Sequence, residues 1–275
     1  MKTLVLSDHA KDQANAAASK RQAEFERAKL AFENALDRHA DHSKALLEKS
    51  RLLWRDHRYL AWMFSIVTRM LHAMSSLPAA PVKAVAGREE IVWNAGSDGE
   101  RRVLDALSRQ LGDEWVAISG YKNPAGEIDL LLVCPDGVLA VEIKYVNGKV
   151  YCEGDRWWRD KSDKYGNVVE RNLPIADKKG RGPSAQVNAS ASRLQRFLSE
   201  RTPMTVVLRA VVLSHPQSSI GELRYQTVDS IATLDAFKPR DVFSETVGTG
   251  HQLLVDDLVR IIAQDHRYHE DRGTR

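Results

Sequence analysis

The chain has 275 residues, 43% hydrophobic and 28% charged, with a formal net charge of +3, the bounds of a soluble globular protein with at least one full core. Its two cysteines, Cys134 and Cys152, are too few for a four-ligand zinc cluster and fit small buried hydrophobes in strands. No N-terminal apolar run follows a basic stretch, so a secretory signal is not expected and a reducing cytoplasm is the simplest home.

Charge is unevenly placed. Residues 1–85 hold 14 Lys and Arg against 9 acids, which assigns the basic surplus to an N-terminal arm. From Lys11 to about Met74 the sequence is rich in Ala, Leu, Glu, Lys, Arg and Gln and lacks Gly and Pro, which predicts one or two long helices. Asp41-His42-Ser43 interrupts the pattern and could cap a second helix beginning at Lys44. An antiparallel hairpin or coiled coil is preferred there, with one continuous rod as the alternative. The charges of residues 11–76 mostly alternate in sign, as on a solvated helix, and this arm is a candidate surface for self-association or for a protein partner.

Tyr59 to Leu77 is the most apolar stretch, 19 residues long, but Arg69 and His72 lie inside it. A central Arg is costly in hydrocarbon, so a buried helix is expected and a membrane partner is not. Leu77-Pro78-Ala79-Ala80-Pro81 then predicts a break. The organisation that follows is a helical arm over 1–85, an α/β domain over 86–245, and a C-terminal helix and tail over 246–275.

Within the second domain, Asp98 to Leu111 predicts an amphipathic helix. Glu114–Gly120, Glu127–Val133, Val138–Val146 and Lys149–Glu153 predict strands. Ser184–Ser199 predicts a helix, Met204–Ser214 a β-branched strand and Gln252–Ala263 a closing helix, while Asp155–Gly182 reads as a loop.

Two of these strands gather charge. Gly126-Glu127-Ile128-Asp129-Leu130-Leu131-Leu132-Val133, the turn Cys134-Pro135-Asp136-Gly137, and Val138 to Lys144 read as a β-hairpin. If Val133 faces Val138, Asp129 lies opposite Glu142 and Glu127 opposite Lys144. Alternation then puts Ile128, Leu130 and Leu132 with Leu139, Val141, Ile143 and Tyr145 on a dry face. The other face turns from apolar, near the turn, to charged at its open end. Opposed Cβ atoms in such a pair sit about 5 Å apart, so the two carboxylates repel and call for a cation between them. The plain alternative is a solvated strand end with Lys144 paired to Glu127.

These residues carry a resemblance. Gly96-Ser97-Asp98-Gly99-Glu100, Gly126-Glu127-Ile128-Asp129, Val141-Glu142-Ile143-Lys144, Trp157-Trp158 and Pro183-Ser184-Ala185-Gln186 together resemble the nuclease-related domain, a branch of the PD-(D/E)xK nuclease superfamily, over about residues 87–215. Ile128-Asp129 stands where that pattern has Pro-Asp. The resemblance implies a restriction-endonuclease-like α/β fold, with a central mixed sheet flanked by helices. It implies a metal-dependent hydrolase, an endonuclease cutting phosphodiester bonds in DNA more readily than in RNA. It maps Glu100, Asp129, Glu142, Lys144 and Gln186 to active-site positions. Asp129 and Glu142, with the Ile143 carbonyl and Glu100, would then hold Mg²⁺ or Mn²⁺ through oxygen. Lys144 would orient water or stabilise developing charge, and the Gln186 amide would bind a phosphate or a water. Two rival readings stand beside it: a noncatalytic nucleic-acid-binding or scaffold protein whose helical arm docks partners, and a membrane-associated protein anchored at 59–77.

Four further features have readings of their own. The 155–182 segment holds eight Lys or Arg against five acids, with Trp157, Trp158 and Tyr165. Arg156, Trp157, Trp158, Lys161, Lys178, Lys179 and Arg181 are its candidate nucleic-acid contacts, although one tryptophan is expected in the core. Asn147-Gly148 predicts a turn that would put Glu153 opposite Glu142. Gly96 and Gly99 lack the Gly-Lys-Ser/Thr of a nucleotide loop, so close helix packing is their expected role. His266 and His269 have metal spacing but no third ligand in view, and are expected to be solvated near the C-terminus.

Overall fold

The computed structural model describes residues 1–7, 9–74, 79–86, 88–203, 205–246 and 254–273. They divide into two compact units, Met1–Gln13 with Val92–Arg275, and Ala14–Ile91. Parts of three predicted features, at Leu77-Pro78, Met204 and Gln252, lie outside the described residues.

The helical unit is built mainly from α1 (His9–Arg55) and α2 (Tyr59–Ala73). No cap forms at Asp41-His42-Ser43. The Ser43 hydroxyl instead donates back to the His39 carbonyl at 2.9 Å, the bond a serine makes inside a continuing helix. The chain reverses later, at Asp56-His57-Arg58, where His57 adopts a φ of +57° and the three N–H groups close on the carbonyls of Leu52, Trp54 and Leu53. A helical hairpin therefore exists, but its turn is displaced from the predicted one. Its two arms meet through His72, which stacks on His39 at 4.1 Å and meets His42 edge-on at 4.6 Å.

The expectation that 59–77 is a buried helix does not hold. Of the residues of α2 only Ser65 is buried, while Leu60, Met63, Phe64, Val67, Met70 and Leu71 are exposed. No helix among the described residues is long and apolar enough to cross a membrane.

The other unit is mixed α/β. Its elements are β1 (Lys2–Val5), α3 (Arg88–Gln110), β2 (Val116–Asn123), β3 (Gly126–Cys134), β4 (Gly137–Lys144), β5 (Gly148–Glu153), β6 (Arg156–Ser162), β7 (Val168–Pro174), α4 (Pro183–Ser199), β8 (Val207–Leu213), β9 (Ser218–Arg224), β10 (Ser230–Thr233), α5 (Pro239–Thr246) and α6 (Val255–Gly273). A six-stranded mixed sheet runs β1-β2-β3-β4-β8-β10, and a four-stranded one β7-β6-β5-β9.

Helices cover both faces of the larger sheet. Ile118, Leu131, Val138, Ala140 and Val211 pack with Val187, Leu194 and Leu198 of α4 and with Leu258 and Ile262 of α6. On the opposite face Leu130, Leu132, Leu139, Val141 and Val212 pack with Val103 and Leu107 of α3 and with Val242 and Phe243 of α5. The continuous run Leu130-Leu131-Leu132-Val133 follows from this, since a strand covered on both faces needs apolar side chains in succession. Each such side chain contributes roughly 1.5–3 kcal/mol by leaving water.

The predicted hairpin register is observed from Cys134↔Gly137 and Val133↔Val138 to Leu130↔Val141. Its faces differ from expectation at one end. Ile128 lies in the cluster of Leu131 rather than that of Leu130, so alternation slips at Asp129, and Tyr145 is half-buried beyond the end of β4. The pairing expected across Asn147-Gly148 is absent. β5 leaves for the second sheet, where it pairs with β6 and β9, and Glu153 meets Arg156 at 2.7 Å instead of facing Glu142. Gly148 is needed for that departure: its φ is +92°, and a Cβ would lie 2.0 Å from the Asp160 carbonyl oxygen.

The segment read as a loop over 155–182 contains β6 and β7, and β1, β9, β10 and α5 were not predicted. β1 pairs in parallel with β2 from Lys2↔Val116 to Val5↔Ser119. Helix α3 begins ten residues ahead of the predicted Asp98, at Arg88. Gly99 has the expected packing role, since a Cβ there would sit 2.8 Å from Ser214 Oγ and 3.0 Å from Tyr145 Cβ.

An unbroken α1 makes Ser43→Pro costly. It should remove helical circular dichroism and destabilise the helical unit by about 3 kcal/mol, whereas Ser43→Ala should stay within about 0.5 kcal/mol. Equal stability of the two variants in thermal melts would contradict a continuous helix.

Candidate active site

The charged end of the β3–β4 hairpin is where the paired ladder stops. Beyond Leu130↔Val141 the strands separate, and the Asp129 side chain spans the gap, its Oδ2 accepting the Ile143 N–H at 2.7 Å. Glu142 is 3% exposed, held in β4 by parallel pairing with β8, where it is in register with Val211. Lys144 donates from Nζ to Glu142 Oε1 at 2.6 Å and to Gln186 Oε1 at 3.1 Å. The alternative pairing of Lys144 with Glu127 is not observed. Glu127 Oε1 lies 3.2 Å from the Ser7 hydroxyl, which follows β1.

These groups surround a cavity of about 360 Å³. Its walls are formed by Glu100 from α3, Glu127 and Asp129 from β3, Glu142 and Lys144 from β4, Arg181 from the loop ahead of α4, and Gln186 in the first turn of α4. All five residues mapped to active-site positions therefore line one space.

Gln186 is held at both ends of its amide. Its Oε1 accepts from Lys144 and its Nε2 donates to the Arg181 carbonyl at 2.7 Å, so both ends of the amide are engaged within the protein. Its position does this work: it lies in the first turn of α4, which starts with Pro183 after Gly182.

Electrostatics set the character of the pocket. Burial pushes the Glu142 carboxyl up to about 7, and the neighbouring Asp129 charge adds to that rise while Lys144 opposes it. Burial likewise raises Asp129, against the pull of Lys144 and the Ile143 N–H. Burial alone would lower Lys144, but Glu142 and Asp129 more than offset it, so its amine is held in the charged form. The result is two desolvated acids that repel each other beside one fixed cation.

Among the described residues no three or more His, Cys, Asp or Glu side chains are grouped to share a metal ion. Glu100 therefore lines the cavity without completing a three-carboxylate cluster with Asp129 and Glu142. The acid pair still suits a hard divalent cation, because Mg²⁺ is commonly held by one or two carboxylates and completes its shell with water and substrate phosphate.

Arg181 is placed by a tight loop. Asp177 accepts the backbone N–H groups of Lys179 and Arg181, each at 2.9 Å, and the Arg181 guanidinium at 2.8 Å. Asp177 belongs to no motif of the sequence, and only its spacing four residues before Arg181, with Gly180 between, marks the turn it closes.

The other candidate nucleic-acid contacts separate. Lys178 and Lys179 are exposed on this same loop. Trp157 is 2% exposed and its indole N–H donates to Ser184 at 2.9 Å, so it is the core tryptophan and is not open to bases. Its bond fixes the second sheet to the start of α4, two residues ahead of Gln186. Trp158 is half-buried, lies parallel to Tyr151 at 5.8 Å, and has the exposed Arg156 guanidinium 5.4 Å above it. Lys161 is half-buried on the same strand, β6.

Two expectations outside the cavity also resolve. Cys134 and Cys152 are free and buried. His266 is not a solvated terminal residue: it is 1% exposed on α6, its Nδ1 accepts the Lys122 N–H at 3.1 Å, and burial depresses its pKa.

A proton-linked stability follows from Glu142. Its folded carboxyl sits near 7 against an ordinary 4.5, so the folded state binds the proton more tightly than the unfolded one and loses stability as pH rises through that interval. In EDTA, denaturation midpoints should fall from pH 5 to pH 8, by on the order of 1–3 kcal/mol in stability, and Glu142→Gln should flatten the profile. A wild-type midpoint that rises over this range would show that the pair is ionised and compensated.

Comparison with known proteins agrees with this geometry. Residues 95–214 match the family described as nuclease-related domain. A protein of Streptomyces coelicolor named Probable kinase PglW is 37% identical over 78 residues, which cover 26% of this chain and 5% of that protein. The chain thus spans a small part of the curated relative it matches, and no solved structure matches it. Residues 95–214, under half of the chain, are thus similar to the nuclease-related domain, a family whose general placement is the PD-(D/E)xK superfamily.

Proposed function

We propose that this domain is a divalent-cation-dependent nuclease that hydrolyses phosphodiester bonds, with DNA as its substrate. The observation that carries this reading is the meeting of Asp129, Glu142 and Lys144 in one cavity, two buried acids beside a tethered ammonium. Asp129, Glu142 and the Ile143 carbonyl would hold Mg²⁺ or Mn²⁺, with Glu100 acting from the cavity wall through water. A cation bound there would polarise the scissile phosphate and lower the pKa of a coordinated water.

The chain's own residues do the rest. Lys144 keeps its positive charge and is fixed at 2.6 and 3.1 Å by two oxygens, so it can stabilise charge that accumulates on the phosphate without reorganising. Gln186 holds that ammonium in place and couples it to the Asp177–Arg181 loop. Arg181, at the cavity wall, offers a planar donor set suited to a phosphate, and the exposed Lys178 and Lys179 extend the positive surface along the backbone path. Arg156, Trp158 and Lys161 on the second sheet are further contacts for the strand leaving the site. The preference for DNA rests on the family alone.

Nicking of supercoiled plasmid tests the reading against a noncatalytic docking role. Wild type with Mg²⁺ should nick, EDTA should abolish nicking, and Glu142→Ala or Lys144→Ala should lower the rate by about 10²–10⁴. Gln186→Ala should cost less, roughly tenfold, because the charge of Lys144 survives while its placement loosens. Equal cleavage by all variants would assign the activity to a contaminant and remove the enzyme reading.

A further inference from the structure

Helix α2 is built inside out. Away from its outward face, Ala61, Trp62 and His72 are half-buried and Ser65 is buried, and Trp62 and His72 pack on Trp54 and His39 of α1. Its outward face carries Leu60 at 86% exposure, Phe64 at 76% and Met74, just past its end, at 77%, together with Met63, Val67, Met70 and Leu71. At 100° per residue these seven positions fall on one arc of about 120°, a full apolar face rather than a narrow seam. A soluble helix places such a face against its core. Here no described residue of the helical unit covers it.

Charge narrows the choice of what does. Helix α2 contains no acidic residue, and Arg69 is its single Lys or Arg. The hairpin leading into it, residues 44–58, carries Lys44, Lys49, Arg51, Arg55 and Arg58 against Glu48 and Asp56. Two copies laid face to face would bring these like charges together, whereas an anionic surface would neutralise them. At the turn Trp54 packs on Trp62 at 4.7 Å and on Tyr59 at 5.4 Å, an aromatic cluster of the kind favoured where apolar and polar layers meet.

We propose that the outward face of α2 docks the protein on an anionic lipid surface, with the helix lying in the headgroup layer and the basic turn at Arg55 and Arg58 facing the phosphates. Its 15 residues extend about 22 Å, short of the roughly 30 Å hydrocarbon core, so it lies on the bilayer and does not span it. Arg69 presents no obstacle in that orientation. At 100° per residue it lies about 160° from the middle of the apolar arc, on the side turned away from the bilayer, where it borders a groove with Ser43, Lys44 and His72.

The test is cosedimentation of the full chain with vesicles of phosphatidylglycerol mixed with phosphatidylcholine, and of phosphatidylcholine alone. Wild type should bind the anionic vesicles and lose affinity several-fold as salt is raised. Phe64→Asp and Leu71→Asp should each weaken binding at least tenfold; both sites are exposed, so circular dichroism should be unchanged. Arg55→Glu with Arg58→Glu should weaken binding to anionic vesicles several-fold. Failure to bind anionic vesicles, or equal binding by wild type and the aspartate variants, overturns the proposal. So does a dimer, seen by light scattering and split by Phe64→Asp, in a protein that ignores lipid; the face then belongs to a second copy.

Discussion

Two carboxylates and one ammonium, withdrawn from water at the open end of a hairpin, are the constraint around which the α/β unit is arranged. Placing Glu142 in a buried strand costs desolvation, and placing Asp129 beside it adds repulsion; Lys144 offsets only part of both. Such a cluster persists only when the surrounding structure holds it. Here β4 is locked between β3 and β8, and both faces of the sheet are filled by helices. The well-packed core thus supports a charged group that would not be stable in isolation.

The arrangement around Lys144 explains why the site draws on distant parts of the chain. The second sheet is joined to α4 by the bond from Trp157 to Ser184, α4 presents Gln186, and Gln186 joins Lys144 to the carbonyl of Arg181. A rigid sheet on one side and a tight loop on the other fix one ammonium. The N-terminal strand contributes from a third direction. Ser7 lies 2.8 Å from the Gly120 carbonyl oxygen and reaches Glu127, and Gly120, with φ of +70°, has no room for a Cβ beside it.

The helical unit follows a different logic. In the sheet unit hydrophobic residues fill an interior, whereas in α2 they point outward from a hairpin joined through histidines, tryptophans and a serine. That inversion separates the two units chemically. One has its polarity concentrated in a cavity, and the other has its apolarity spread on a surface.

Much of the site was legible in the sequence. The turn Cys134-Pro135-Asp136-Gly137 fixes the hairpin register and period-two spacing puts Glu142 and Lys144 at its open end, because turn geometry and strand pleat are local properties, whereas Asp129 joins them across a gap where the alternation slips. Helical composition without Gly or Pro likewise marked α1, but propensity could not say that Ser43 would bond backward to His39 while the chain turned at His57. Sequence could not show that Gly148 sends β5 into another sheet, that β1 joins an edge beside β2, or that Trp157 rather than Trp158 is buried. Nor could it show that the Gln186 amide bridges Lys144 and the Arg181 carbonyl. What the sequence determined by itself rests on interactions between residues near one another in the chain. The covering of β3 on both faces and the exposure of α2 depend instead on which distant surfaces meet, and hydrophobic pattern alone does not specify that partner.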